Sequence, residues 1–533
     1  MNTELFQSLP SDGMDGLPDE NFLQQLANQF FQAPPVPQGV AGTVPSSVAG
    51  SGISPSAVNQ GNSVDLKDPQ TSLPDPHFAG KGLVPSSVAG SGKSPAFTAT
   101  PGFYFLDEKS AFVRSHPALP AHGALPSAPF DVNQVRKDFP ILHQHINGRP
   151  LVWLDNAATT QKPQAVIDRI SHFYAHDNSN IHRAAHELAA RSTDAYEGAR
   201  EKARKFLNAG SSNEIIFVRG ATEAINLVAK SWGDQFLNPG DEIIVSHLEH
   251  HANIVPWQQL AAAKGLKLKV IPVDDDGQVL LEEYSRLLSS KTKLVSFTQV
   301  SNALGTITPA KKMVEMAHAA GAKALVDGAQ AVSHMPVDVR ALDADWYVFS
   351  GHKVFGPTGI GVLYGKESLL NETAPWQGGG NMIQDVTFEH TKYQQAPARF
   401  EAGTGNIADA VGLGAALDYV MAIGMELIAR YEHYLLQYAT RFLKEIQGLR
   451  LIGTAADKAG VLSFTLDGYR TEEVGAALNQ YGIAVRSGHH CAQPILRRFG
   501  VESSVRPSLA LYNTCGDIDA LVSVLHRLRT ARK

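Results

Sequence analysis

Short apolar runs, each closing on a small or polar residue, recur through the last three-quarters of the chain and suggest its architecture. Residues 324–326 (ALV) and 346–349 (WYVF) have strand length and are apolar throughout, as strands buried on both faces are. Residues 214–232 (EIIFVRGATEAINLVAKSW) read as a strand, a glycine turn and a helix that begins at Ala221 and Thr222. Strands are also expected within 241–257 (DEIIVSHLEHHANIVPW) and 295–309 (VSFTQVSNALGTITP), each followed by a polar turn. The most apolar long window, 411–429, is interrupted by Asp418 and Glu426 and reads as one core helix, not a membrane span. Beyond about residue 426 helices dominate, with short strands near 460–466 and 483–485. The pattern predicts a large α/β domain over 130–425 and a smaller α+β domain over 426–533, on which part of the segment after 130 packs.

Residues 1–129 are patterned differently. Pro, Gly, Ser and Ala dominate and charges are sparse, so this stretch is expected to be a disordered arm. Within it the phrase VPSSVAGSG is written twice, at 44–52 and 84–92, each copy followed shortly by a Ser-Pro. Residues 17–32 place Phe22, Leu23, Leu26, Phe30 and Phe31 on one face of an expected helix, and 101–113 cluster aromatics. A composition alone makes a linker, and a degenerate duplication would leave such a trace. A repeated phrase also suits a tether that a partner reads more than once.

Polar residues stand at the ends of both apolar runs. Asp327 and Gln330 follow the first; Ser350, His352 and Lys353 follow the second, ahead of a glycine-rich loop. Ligands bind at the carboxyl ends of strands in open α/β sheets, so the two clusters are expected to share a crevice. Taken singly, Asp327 would cap a helix and Lys353 would be a solvated loop lysine. Together they suit pyridoxal phosphate: Lys353 as covalent anchor, Asp327 holding the ring nitrogen protonated, Gln330 donating to the ring oxygen, Ser350 and His352 holding the phosphate. The helix start at Thr222 would be a third wall of the phosphate cup.

The wording DGAQ, then SGHK, then GPTGIG resembles the fold-type I pyridoxal-phosphate enzymes of the class V aminotransferase group, and among them the SufS-type (group II) cysteine desulfurases, from about residue 130 to 529. The resemblance implies a fold-type I transferase with a large mixed or parallel sheet and a smaller α+β domain. It implies that Cys491, in RSGHHCA, is the nucleophile that takes sulfur from L-cysteine, where group II wording has Thr in place of Ser487. His251 is then the residue stacked on the pyridine ring, and Arg506, Asn302, Arg486, His186 and Asn156 belong to the substrate side. Thr404 sits in a loop that, in the family, crosses to the partner's phosphate, which implies a homodimer; Gly405 stands where a proline is usual. The short cysteine loop implies transfer of sulfur to an acceptor protein. Selenocysteine lyase and cysteine sulfinate desulfinase chemistry remain open on the same fold. His247, His250 and His251 do not read as a metal site, because no cysteine or carboxylate cluster stands at ligand spacing.

Composition adds little beyond this. A chain of 533 residues with 43% hydrophobic content and a net charge of −6 gives no electrostatic case for nucleic acid or an anionic membrane. The first residues lack the charged and apolar regions of a signal peptide, and two cysteines suggest a reducing, cytoplasmic setting. Cys515 reads as structural. The arm ahead of the body resembles, in arrangement, the cargo-loading regions of desulfurases packaged in family 2 encapsulin shells, which implies a shell protein as partner through residues 1–129. A different class of function, chiefly shell docking or assembly, would make the body secondary.

Overall fold

The computed structural model describes residues 130–182 and 186–531. The arm, its repeated phrase and the expected helix over 17–32 lie outside the described residues.

The elements that build the site are, in chain order, β1 (Val152–Trp153), α1 (Glu187–Phe206), β2 (Ile215–Val218), α2 (Ala221–Val228), β3 (Glu242–Ser246), β4 (Lys267–Ile271), β5 (Thr292–Thr298), β6 (Lys323–Asp327), β7 (Trp346–Ser350) and β8 (Gly361–Gly365). There follow α3 (Ile407–Ile423), α4 (Met425–Lys444), β9 (Leu449–Ile452), β10 (Ser463–Leu466), α5 (Thr471–Gln480), β11 (Ile483–Ala484), β12 (Arg486–Gly488), β13 (Ser504–Arg506) and α6 (Cys515–Ala531). Seven strands form one sheet in the order β2-β8-β7-β6-β5-β3-β4. All neighbours are parallel except β8, which runs antiparallel to both β2 and β7. The architecture is the expected α/β class.

Alternation along β7 explains why this sheet needs cover on both faces. Trp346 and Val348 enter one apolar layer with Leu325 and Leu294, while Tyr347 and Phe349 enter the opposite layer with Val326 and Val295. Every residue of β7 is buried, and each large side chain so buried contributes about 1.5–3 kcal/mol. The register sets Thr298 opposite Asp327, Asp327 opposite Val348, and Gly361 opposite Ser350, so the parallel strands deliver their last residues to one edge.

The apolar window 411–429 is two helices, not one. Gly424, at φ 96°, separates α3 from α4, which bend by 75° at the break. α3 is buried on nearly every side, and α4 buries one face under a second core with α5 and α6. Beneath them β9-β10-β13-β12 form an antiparallel sheet. The sequence expectation missed β9 and β13, which are four and three residues long and too short to show alternation. β1 pairs in parallel with β11 as a separate two-stranded sheet, and β11 runs on into β12 of the smaller sheet one residue later.

Candidate active site

At the carboxyl edge of the large sheet lies a cavity of about 410 Å³ whose wall includes Thr222, His250, Asn302, Asp327, Gln330, Ser350, His352 and Lys353, together with Arg486 and Arg506 from the smaller sheet and Cys491 from the loop after β12.

Lys353 closes a single turn, Gly351–Lys353, that directly follows β7. The carbonyl of His352 in that turn accepts from Thr160 N at 3.1 Å, Thr159 Oγ1 at 3.1 Å and Lys162 Nζ at 3.2 Å. The Thr160 hydroxyl accepts in turn from Phe355 N at 2.8 Å. Thr159, Thr160 and Lys162 thus clamp the lysine turn from a distant segment. Lys353 Nζ makes no hydrogen bond among the described residues. Burial pushes its ammonium down to about 8, against the pull of Asp327.

Asp327 ends β6 and is 4% exposed, with Oδ1 accepting from Ala329 N at 2.9 Å. Burial raises its carboxyl, while the Ala329 N–H and Lys353 act in the opposite direction. The glycine after it is required by space: a Cβ on Gly328 would stand 2.0 Å from the Tyr347 ring. On the next strand Ser350 Oγ accepts from Ala221 N at 2.9 Å, at the first turn of α2. The Ser350 hydroxyl, Thr222 and the free amides of that turn therefore border one corner of the cavity, a set of donors suited to an oxyanion.

The expectation for His251 is corrected by the structure. The ring that lines the cavity belongs to His250. Its Nδ1 accepts from Ala252 N at 3.0 Å, which leaves the proton of the neutral ring on Nε2. Burial, with Lys353 adding, pushes its pKa down to about 3, so it is neutral at physiological pH. His251 turns toward the cysteine loop: its N–H donates to Cys491 O at 2.8 Å, its Nε2 accepts from Gln493 N at 3.4 Å, and its ring stacks on His489 at 5.9 Å. His250 is the residue the sequence reading missed; in a pair of adjacent histidines only the turn decides which one faces inward.

Cys491 is exposed. His490 and Cys491 both hold φ 53°, left-handed backbone that costs a side-chain-bearing residue on the order of 1–3 kcal/mol. The conformation is held by Asn302 Nδ2 donating to His490 O at 2.7 Å and by His490 Nε2 meeting Ser504 Oγ at 2.8 Å.

Arg506 ends β13 at 2% exposure, donating to Asn302 O at 2.9 Å and to Asp155 Oδ1 at 3.3 Å. Arg486 donates to Asp155 Oδ2 at 3.2 Å through both Nε and Nη2. Two guanidinium groups share one carboxylate, so one positive charge is left for an anion. Burial pushes Arg506 down to about 10, which keeps it charged at neutral pH.

Two residues expected on the substrate side are elsewhere. Asn156 is 1% exposed and fully committed: Nδ2 donates to Ser508 O at 2.6 Å and to Asn513 Oδ1 at 3.0 Å, and Oδ1 accepts from the Tyr512 hydroxyl. It fastens two chain segments, and Ala157, Ala158 and Thr159 form the cavity wall in its place. His186 caps α1, its Nδ1 accepting from Ala189 N at 3.2 Å, outside the cavity. Thr404 borders a separate cavity of about 170 Å³ with Asn180 and Gly380. Cys515 opens α6, with Sγ 3.7 Å from the Tyr434 hydroxyl. Among the described residues no group of three potential metal ligands converges.

Residues 152–521 match the family described as Aminotransferase class-V. A cysteine desulfurase of Synechococcus elongatus is 66% identical over 445 residues, spanning 80% of this chain and 71% of that protein. A cysteine desulfurase of Dickeya dadantii is 52% identical over 400 residues, spanning 75% of this chain and 97% of that protein. Among solved structures, the Escherichia coli cysteine desulfurase CsdA, in an S-sulfonic acid form, is similar with a TM-score of 0.70 and 40% identity, covering 75% of this chain and 99% of that one.

Proposed function

This chain belongs to the class-V aminotransferase family and is a pyridoxal-phosphate-dependent cysteine desulfurase, and on that premise we propose that it moves sulfur from L-cysteine onto Cys491 and releases L-alanine. The observation that carries this reading is the convergence of Lys353, Asp327, Arg506 and Cys491, from four separate elements, on one cavity.

The residues fit the cofactor. Gln330 Oε1, Asn302 Oδ1 and Arg506 Nε are buried without partners among the described residues, beside an amine that makes no hydrogen bond. Lys353 would anchor pyridoxal phosphate, Asp327 would face its ring nitrogen, His250 its ring, Gln330 its ring oxygen, and Ser350, His352 and Thr222 its phosphate. When bound, the cofactor supplies an electron sink for the bonding electrons of the substrate.

The chain's own residues do the rest. Arg506 and Arg486, with the one positive charge that Asp155 leaves over, bind the substrate carboxylate, and Asn302 orients it. Lys353 takes the proton from the substrate Cα and returns it to that carbon after the sulfur has left. The Cys491 thiolate attacks the substrate sulfur: an S–S bond forms, the Cβ–S bond breaks, and its electron pair stays with the substrate carbon, which a proton completes to alanine. His251 and Asn302 hold the loop that presents this thiolate.

The finer reading is a group II enzyme. The short loop around Cys491 suits delivery of the persulfide sulfur to an acceptor protein, and Thr404, outside its own chain's cavity, suits a homodimer with shared phosphate sites. We further propose that residues 1–129 dock the enzyme in an encapsulin shell within the cytoplasm. The doubled VPSSVAGSG phrase supports this.

The test is to incubate purified protein with L-cysteine and a reductant, following cofactor absorbance, sulfide and alanine, with selenocysteine and cysteine sulfinate as competing substrates. Cysteine-dependent alanine supports the assignment; bound cofactor without alanine would reassign the substrate. For the arm, deletion of residues 1–129 should abolish co-sedimentation with a co-expressed shell protein while activity persists. Co-sedimentation that survives the deletion would refute the docking role.

A further inference from the structure

Behind the cavity a buried polar chain runs away from Gln330 that the reaction above does not use. Gln330 is 2% exposed, His334 5% and Glu432 3%. Gln330 Nε2 lies 3.1 Å from His334 Nε2, and His334 Nδ1 lies 2.5 Å from Glu432 Oε2. Gln330 and His334 follow β6 in the large domain, while Glu432 stands on α4 and belongs to the smaller one. Apolar residues would fill this space without the desolvation that three buried polar groups carry, so the chain calls for an explanation.

The donor pattern supplies one. Burial raises the Glu432 carboxyl and His334 opposes that; in its carboxylate form Glu432 can only accept, so His334 Nδ1 carries a proton. With a neutral imidazole, Nε2 is then an acceptor and takes a proton from the Gln330 amide nitrogen. That leaves Gln330 Oε1 and its second N–H uncommitted, and Oε1 is buried with no partner among the described residues. Were His334 to carry both protons, or its single proton on Nε2, it would donate to Gln330 Oε1 and turn the NH2 end away from itself. The orientation of one amide at the cavity wall is thereby coupled to a carboxylate two side chains away.

We propose that Glu432 and His334 are positioning residues that set which end of the Gln330 amide faces the cavity, and through it the protonation of the cofactor bound there. This rests on the cofactor reading above. The surrounding charges do not compete for the role. Tyr431 on α4 and Tyr512 both feel the Glu432 charge, and burial pushes both upward, so they stay neutral. Arg136 and Asp517 are paired with each other at 2.9 Å. On the Gln330 side the charged neighbours are Asp327 and Lys353, which belong to the cavity.

The test is a spectroscopic pH titration of the cofactor in the holoenzyme, comparing wild type, Glu432→Gln, Glu432→Asp, Gln330→Ala and the Glu432→Gln/Gln330→Ala double variant. Glu432→Gln keeps shape but can donate to His334 Nδ1, which reverses the tautomer and the amide. The absorbance midpoint should move by about half a pH unit or more, with kcat altered more than KM. Glu432→Asp keeps the carboxylate and should leave the midpoint near the wild-type value, and in the Gln330→Ala background Glu432→Gln should have no further effect. A melting temperature measured on cofactor-free protein separates loss of fold from this coupling. An unmoved midpoint in folded Glu432→Gln, or a shift that persists without Gln330, overturns the inference while leaving the enzyme assignment standing. A wild-type protein that binds no cofactor overturns both.

Discussion

The backbone N–H of His251 donates to the carbonyl of Cys491 at 2.8 Å, which joins the turn carrying His250 to the loop carrying Cys491. Adjacent histidines thus have separate tasks: one ring borders the cofactor cavity and the other underpins the thiol. Replacing them should divide the phenotype. His250→Ala should alter the absorbance of bound cofactor and lower kcat on the order of 10²-fold, the scale of a lost acid–base partner. His251→Ala should leave the spectrum unchanged and alter the alkylation rate of Cys491 by iodoacetamide. A spectral change confined to His251→Ala would reverse the assignment.

Lys353 provides a pH prediction. Its ammonium is pushed down to about 8, chiefly by burial. Only the uncharged amine can take up the cofactor, so incorporation into cofactor-free protein should accelerate as pH rises through about 8 and level off above it. Stopped-flow absorbance measures this directly. A midpoint near the ordinary lysine value of about 10.4 would show that burial does not act as described.

The acid side follows from three histidines. Burial is the first cause in each case, and pushes His250 and His490 down to about 3 and His352 to about 4. The unfolded chain binds these protons near pH 6.5 and the folded chain does not, so stability is lost as pH falls from about 6.5 toward 4. The melting temperature should therefore drop between pH 7 and pH 5, and His490→Gln should flatten that drop. An unchanged slope in a folded variant would count against this source.

Much of this site is legible in the sequence, for a physical reason. β6 and β7 are buried on both faces and so appear as unbroken apolar runs, and the polar residues at their ends, Asp327, Ser350 and Lys353, fall where strand ends must. What stayed hidden depends on three dimensions. Nothing local distinguishes His250 from His251, or shows that Asn156 spends its amide on Ser508 and Asn513. Short strands such as β9 and β13, of four and three residues, carry no period to read. The clamp of Thr159, Thr160 and Lys162 on the lysine turn is equally invisible, because its partners lie about 190 positions away.

Two arginines on one aspartate make the charge balance at the substrate side testable. Arg506→Lys keeps the charge but loses the fork, and should raise KM for L-cysteine with a loss of about 10²-fold in kcat/KM. Steady-state alanine release measures it. A change confined to kcat would place Arg506 outside substrate binding.

A buried ion pair supports the loop that carries Thr404. Glu401 accepts from Arg200 Nη1 at 2.7 Å, from Arg200 Nη2 at 3.0 Å and from Phe217 N at 2.8 Å, and the arginine is 2% exposed. Glu401→Ala removes the buried partner and leaves Arg200 only the half-exposed Glu197, 2.9 Å from its Nε, and should destabilise the protein by about 3 kcal/mol, read from denaturant unfolding. A loss under about 1 kcal/mol would mean that Glu197 and water suffice to satisfy Arg200.

In the proposed reaction Cys491 receives the sulfur. The most direct measurement is intact-protein and peptide mass spectrometry after one turnover of the holoenzyme with L-cysteine and no reductant. The peptide containing Cys491 should gain one sulfur atom, stoichiometric with alanine, and neither product should form in Cys491→Ala although its cofactor spectrum is unchanged. Alanine formed at the wild-type rate by Cys491→Ala, or sulfur found on Cys515 instead, would contradict it.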